Sequence, residues 1–559
     1  MKIASAPIAA TKNAPTTIIK RVTSKVDCNL KNCEATLNIG LFFDGTNNNK
    51  DRDSAKRSDT NIARLFDLYS DVKTDGHKKV YIPGVGTKFP EIGEYGESKA
   101  GLGCAFGCEG RVIFALLAIF NTLHQYCSKN NMFDKGSILA LCRNNASVPD
   151  DHDCENLAKL GIRHGLLQPE IGSSNNRREF LTRQSNYLTA KINDGKPRIV
   201  ECFVDVFGFS RGAAEARVFC HWLDELLVDG RLAGVPLHFR FVGIIDTVAS
   251  AGFWAGTKSF LTNSTGGHGA WASAESLSLP VSVQNCVHMV AMHELRRNFP
   301  LDQIGIDGKL QAGWVQLAYP GAHSDVGGGY QPGELGISVE DDSKKLSQIP
   351  LNHMLDCAIA AGAPMKKPTR IPGSYNSFAI HSDLTKAYDD FVSQASLTPR
   401  PIHEWLQPYL NWRWQIRAQF HTTNQVRRAN QADKDILIAF NKILIDDASA
   451  IAPIATRSSG QLAFEIVKTV FSGSEKRKVR VRSKLDPEAQ TVLALAQRAA
   501  PTPPAFAALF DNYVHDSLAG FNSPNLELTG YWRYRKVFLG SDEHTIAANQ
   551  DTETVHNMA

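Results

Sequence analysis

RIVECFVDVF-GFSRG-AAEARVFCHWLDELL, residues 198–227, is the stretch that decides the fold of this chain. The apolar run Arg198 to Phe207 reads as a strand, and the Ala-rich run from Ala213 to Leu227 reads as a helix. Between them, Gly208-Phe209-Ser210-Arg211-Gly212 has the G-x-S-x-G spacing of a nucleophile elbow. A serine hydroxyl is a poor nucleophile in water. A sharp strand-to-helix turn lifts it clear of a sheet, within reach of a histidine, and aims backbone N–H groups at the oxyanion formed when it attacks a carbonyl. The two glycines follow from a turn too tight for a Cβ on either side of the serine. The five-residue pattern arises by chance in long chains; the flanking strand and helix give it weight.

Three other apolar runs end in polar residues. Ala35 to Phe43 breaks at Asp44-Gly45-Thr46, Leu237 to Ile245 stops at Asp246, and Trp314 to Ala318 runs into a glycine-rich turn containing His323 and Asp325. Strands alternating with helical runs predict an α/β fold, a mostly parallel sheet with helices on both faces, and loops at the carboxyl ends of its strands build the site. Ser210, Asp246 and His323 then stand as nucleophile, acid and base, in the chain order of an α/β-hydrolase. Backbone N–H groups of Arg211 and of the Asp44-Gly45-Thr46 loop are the oxyanion candidates. Asp302 is an alternative acid and His515 an alternative base, and Asp325 reads as a turn residue behind the site. Two other functions fit the same residues. Asp44, Asp246, His323 and Asp325 are hard-metal ligand types that would suit a metal-dependent phosphodiesterase, and a non-catalytic adaptor could retain the fold.

The 559 residues are 43% hydrophobic and 21% charged, enough for a large core. A net charge of +4 gives no nucleic-acid signature. The 11 cysteines include the close pairs Cys28/Cys33 and Cys104/Cys108, neither with a second pair at zinc-ribbon spacing, so neither a metal nor a cofactor is implied. The N-terminal residues lack a signal-peptide core, and the run Val112 to Phe120 is far short of the about 20 residues that span a bilayer. These features predict a protein made in the cytoplasm. The expected organisation is a flexible arm over 1–33, a catalytic domain over 34–400 with insertions near 145–178 and 252–280, and a mainly helical cap over 401–559. Within the cap, the late strand 530–538 is a candidate to return to the sheet. The 252–271 loop and the helices around Trp405, Trp412 and Trp414 are candidates to cover an apolar trough. The basic run from Lys476 to Lys484 reads as a solvated face, with anionic lipid headgroups as its functional alternative.

Leu41 to Asn48 (LFFDGTNN), Tyr81 to Thr87 (YIPGVGT), Gly208 to Ala214 (GFSRGAA), Gly243 to Val248 (GIIDTV) and Pro320 to Tyr330 (PGAHSDVGGGY) follow one another in the order seen in a known family. Over roughly residues 36–335 the chain resembles the type VI secretion lipase effectors of the first family group. The resemblance implies Ser210 as nucleophile, Asp246 as acid and His323 as base of a phospholipase A acting on membrane glycerophospholipids. It also implies carriage on a spike protein, action in the periplasm of a rival cell, and neutralisation by an immunity protein.

Overall fold

The computed structural model describes residues 5–19, 34–97, 107–143, 151–162, 174–195, 197–249, 272–305, 309–339, 342–368, 378–451, 488–521 and 530–539. The strands are β1 (Ala9–Ala10), β2 (Glu34–Phe43), β3 (His77–Ile82), β4 (Arg198–Phe209), β5 (Arg231–Leu232), β6 (Val235–Ile245), β7 (Cys286–Ala291), β8 (Leu301–Gln303), β9 (Trp314–Tyr319) and β10 (Val537–Leu539). The main sheet has the order β1-β9-β7-β6-β4-β2-β3, with every neighbouring pair on that path parallel and β5 added to β6 as an antiparallel hairpin. From β2 the chain moves out to β3, then crosses back to β4 on the other side of β2. That reversal opens a crevice at the carboxyl ends of β2 and β4, the usual ligand position in a doubly wound sheet.

Strand alternation sorts the core onto two faces. Phe42, Phe207 and Phe241 share one face, with ring centroids 4.7 and 5.5 Å apart across three adjacent strands. Such pairs each contribute about 0.5–1.5 kcal/mol beyond the area they bury. The helix Gln348–Ala361 packs on this face, and Ser382–Gln394 and Ile402–Ile416 contribute to the same core. Leu41, Phe43, Val204 and Val206 point the other way, against the helices Cys108–Ser128 and Arg211–Asp224. Trp405 and Trp412 are core residues, and Trp414 packs edge-on against Trp532. Among the described residues no helix is long and apolar enough to cross a membrane.

Two expectations about the periphery change. The arm over 1–33 is in part no free arm: Ala9 and Ala10 pair with Leu317 and Ala318 at the sheet edge, and Ile8 is buried. A strand of two small residues carries no periodicity for a sequence to display. The stretch 530–538 does not rejoin the main sheet. Gly530–Trp532 forms a short 3-10 turn, and only Val537–Leu539 pairs, in parallel with β8, as a separate two-stranded sheet. Tyr531, Trp532, Arg533, Tyr534 and Arg535 are all buried, so the stretch lacks the two-sided alternation of a half-buried strand. The 252–271 loop and the 476–484 basic run lie outside the described residues. Within the 145–178 excursion, Asp151–Lys159 is a helix.

Candidate active site

The elbow forms where β4 hands over to its helix. Ser210 has φ 58° and ψ −125°, a conformation L-residues rarely adopt. It is held there from both sides: its N–H donates to the Ile245 carbonyl (3.0 Å), and its own carbonyl accepts from the Val248 N–H (3.2 Å). The flanking glycines are needed for close approach. A Cβ on Gly208 would lie 2.6 Å from the Gly212 carbonyl oxygen, and one on Gly212 would lie 2.3 Å from the Asp44 carbonyl oxygen. The elbow helix therefore abuts the loop after β2.

Asp246 follows β6 directly and has φ 41°. Its buried carboxylate accepts four hydrogen bonds. Oδ2 takes His323 Nδ1 at 2.6 Å and an Arg535 Nη1 at 2.8 Å; Oδ1 takes the Arg535 Nη2 and the Ala291 N–H, each at 2.9 Å. Burial alone would raise this carboxyl, but Arg535 and His323 outweigh it and hold the group well below its ordinary value. His323 opens the short helix His323–Gly327 after β9. Its ring lies 4.5 Å from that of Phe209, the residue before Ser210, and meets the Phe299 ring edge-on at 5.1 Å. Its backbone N–H donates to Glu294 Oε2 (3.1 Å). With Nδ1 committed to Asp246, the opposite nitrogen Nε2 is buried without a hydrogen-bond partner among the described residues. No direct hydrogen bond joins it to Ser210 Oγ in this conformation, and contacts of this kind are often loose before substrate binds.

The loop after β2 is arranged around Asp44. This carboxylate accepts from the Gly45 N–H (2.7 Å), Thr60 Oγ1 (2.6 Å) and the Tyr81 hydroxyl. Burial pushes its carboxyl up to about 6 despite those donors. The Gly45 N–H is thus spoken for, whereas the Thr46 hydroxyl accepts from Arg211 Nε and links the loop to the elbow. Phe209 is the wedge between the pieces: a Cβ on Gly45 would lie 2.6 Å from its ring, and one on Gly327 would lie 2.1 Å away.

The alternative acid and base are engaged elsewhere. Asp302 Oδ2 accepts the Ala249 N–H (2.8 Å), and its carbonyl accepts from Arg217 (2.9 Å). His515 Nδ1 is 2.6 Å from Asp325 Oδ1, its Nε2 is 3.2 Å from the Glu334 carbonyl, and its ring stacks on Tyr330 at 3.7 Å. Of the candidate metal ligands, Asp246 is forked by Arg535, Asp325 is held by His515, and Asp44 is satisfied by three donors. Among the described residues no group of three or more His, Cys, Asp and Glu side chains is placed to hold a metal ion. Sequence reading missed Arg535, Glu294 and Phe209. Phe209 filled a variable position of the motif, and only two arginines amid aromatics in 530–538 hinted at a buried charge.

The doubly wound sheet, with an elbow at its switch point and polar side chains at four strand ends, defines an α/β-hydrolase-like protein. The model of the family described as "T6SS, Phospholipase effector Tle1-like, catalytic domain" matches residues 38–228 and 230–357, more than half of the chain. The chain belongs to this family of type VI secretion phospholipase effectors. Among solved structures, an uncharacterized protein from Pseudomonas aeruginosa is 26% identical, with a TM-score of 0.66, and the match covers 91% of this chain and 80% of that one. The Tle1 effector bound to the VgrG spike of the type VI system aligns at 18% identity and a TM-score of 0.34, over 69% of this chain and 87% of that one, a likeness too slight to carry an argument. No curated protein sequence matches the chain significantly.

Proposed function

We propose that the chain is a serine-dependent phospholipase A, cleaving a carboxylic ester of membrane glycerophospholipids. The observation that carries this reading is the Ser210 elbow, strained to φ 58°, whose Phe209 ring lies 4.5 Å from an imidazole with Nδ1 fixed on Asp246 and Nε2 uncommitted among the described residues. His323 Nε2 takes the Ser210 proton as Oγ attacks the acyl carbonyl carbon. The Arg211 and Thr46 N–H groups are the proposed donors to the developing oxyanion, each such donor being worth about 3 kcal/mol. His323 then protonates the departing lysophospholipid oxygen, and water deacylates Ser210 by the same route in reverse.

Family membership supports delivery by the type VI machinery. On the same proposal a spike protein carries the effector, the target is the periplasmic face of a rival cell's membrane, and an immunity protein protects the producer. Mass spectrometry of products from a phospholipid labelled differently on its two chains tests the chemistry and reads which ester, sn-1 or sn-2, is cut. The expected products are a fatty acid and a lysophospholipid, with Ser210→Ala lowering turnover by about six orders of magnitude. Release of a phosphorylated headgroup that survives Ser210→Ala and stops with a chelator would replace this reading with the phosphodiesterase.

A further inference from the structure

Arg535 lies 289 residues beyond Asp246 and outside the matched catalytic segment, yet it is the cation in direct contact with the proposed triad acid. Its Nη1 and Nη2 fork onto the two Asp246 oxygens at 2.8 and 2.9 Å, and Nη2 also donates to the Ala291 carbonyl at 2.7 Å. The Ala291 N–H in turn donates to Asp246, so guanidinium, carboxylate and the end of β7 form one hydrogen-bonded unit. A bidentate fork fixes the plane of a carboxylate in a way that a single donor cannot.

We propose that Arg535 is a positioning residue of the hydrolytic site, setting the plane of Asp246 for His323 and sharing its negative charge. The inference rests on the serine-hydrolase reading. A carboxylate divided between a guanidinium and an imidazole favours the imidazolium less than an undivided one does. The neighbouring carboxylates Glu294 and Asp325 are themselves paired. Glu294, which accepts the His323 N–H, is held by Arg296 at 2.8 Å; Arg296 also covers the Phe299 ring that meets His323. Asp325, on the His323 helix, is paired with His515. His288, near Asp246, is pushed down to about 3 by burial and by Arg217, and so is neutral. The same C-terminal region also braces the base, since Ser517 Oγ donates to Glu294 (3.0 Å).

The test uses the full chain and the rate of Ser210 modification by a fluorophosphonate probe from pH 4.5 to 9, with thermal unfolding in parallel. Arg535→Gln should move the acid limb of that rate upward by about one pH unit. Arg535→Lys keeps the cation but loses the fork; its limb should stay in place while its plateau falls about tenfold. An unmoved limb in Arg535→Gln, with loss only in proportion to unfolded protein, would overturn the proposal. So would a wild-type plateau in Arg535→Lys, which settles the matter if the Gln variant does not fold. Failure of the wild-type protein to be labelled at Ser210 would instead remove the serine-hydrolase reading on which the proposal stands.

Discussion

Two histidine–aspartate pairs lie at the carboxyl edge of this sheet, and both have an Nδ1-to-carboxylate distance of 2.6 Å. One is His323–Asp246, the other His515–Asp325. Both are buried, and each imidazole rests on an aromatic ring, Phe209 at 4.5 Å or Tyr330 at 3.7 Å. They differ at the far nitrogen. His515 Nε2 is engaged by the Glu334 carbonyl, whereas His323 Nε2 is engaged by nothing among the described residues. A histidine with both nitrogens committed ties segments together; one with a single nitrogen committed is oriented and still able to take a proton. Removing each imidazole is the strongest way to break the comparison. His323→Ala should lower esterase turnover by about six orders of magnitude with a modest change in thermal stability. His515→Gln should destabilise the fold by about 3 kcal/mol, because it leaves Asp325 buried without its partner, while turnover per folded molecule stays within about tenfold. Kinetics normalised to the folded fraction separate the two; comparable losses of turnover in both would end the distinction.

The aromatic platforms offer a finer version of the same contrast. Phe209→Leu removes the ring that fills the space between Gly45, Gly327 and the His323 imidazole. The base can then tilt, and turnover should fall about tenfold, because a misplacement of around 1 Å at a reacting group costs up to about a hundredfold. Tyr330→Leu removes a stack of 16° interplanar angle from His515 and should cost about 1 kcal/mol of stability with turnover unchanged. Equal effects of the two substitutions on turnover would show that both imidazoles serve the chemistry.

The layout of the candidate site was legible in the sequence because its proposed residues sit at strand ends. Ser210, Asp246 and His323 each follow an apolar run closely, and parallel strands bring such positions to one edge whatever their separation along the chain. The glycines at 208 and 212 were readable for a related reason: only close backbone approach demands them, and the structure places Gly212 against the Asp44 carbonyl oxygen. Arg535 was not readable, since no period or spacing links it to an aspartate 289 residues earlier. What separates Asp246 from Asp302, and His323 from His515, was not readable either, because all four residues are buried and polar and differ only in what they touch. The N-terminal strand escaped notice because its two alanines are held by backbone pairing at an edge, which leaves no side-chain signature.

A third buried carboxylate supplies the control for the two paired ones. Glu215 sits five positions after Ser210 on the elbow helix and is fully enclosed, but no histidine or bidentate arginine among the described residues meets it. Burial pushes its carboxyl up to about 8, with Arg111 and Arg211 pulling only partly the other way, whereas the Arg535 fork and His323 hold Asp246 below its ordinary value. The sign of the consequence follows from proton binding. Between about 4.5 and about 8 the folded chain keeps a proton on Glu215 that the unfolded chain has released, so stability falls as pH rises through that window. Glu215→Gln, which mimics the protonated form, should match the wild type near pH 4.5 and become progressively more stable toward pH 8, by a few kcal/mol at most. Denaturant unfolding at several pH values checks this. Asp246→Asn must behave in the opposite sense, losing stability at neutral pH because it discards a paired charge that the fold prefers ionised. If both substitutions shift stability in the same direction with pH, the contrast between a carboxylate placed for its charge and one whose burial outweighs its partners does not hold.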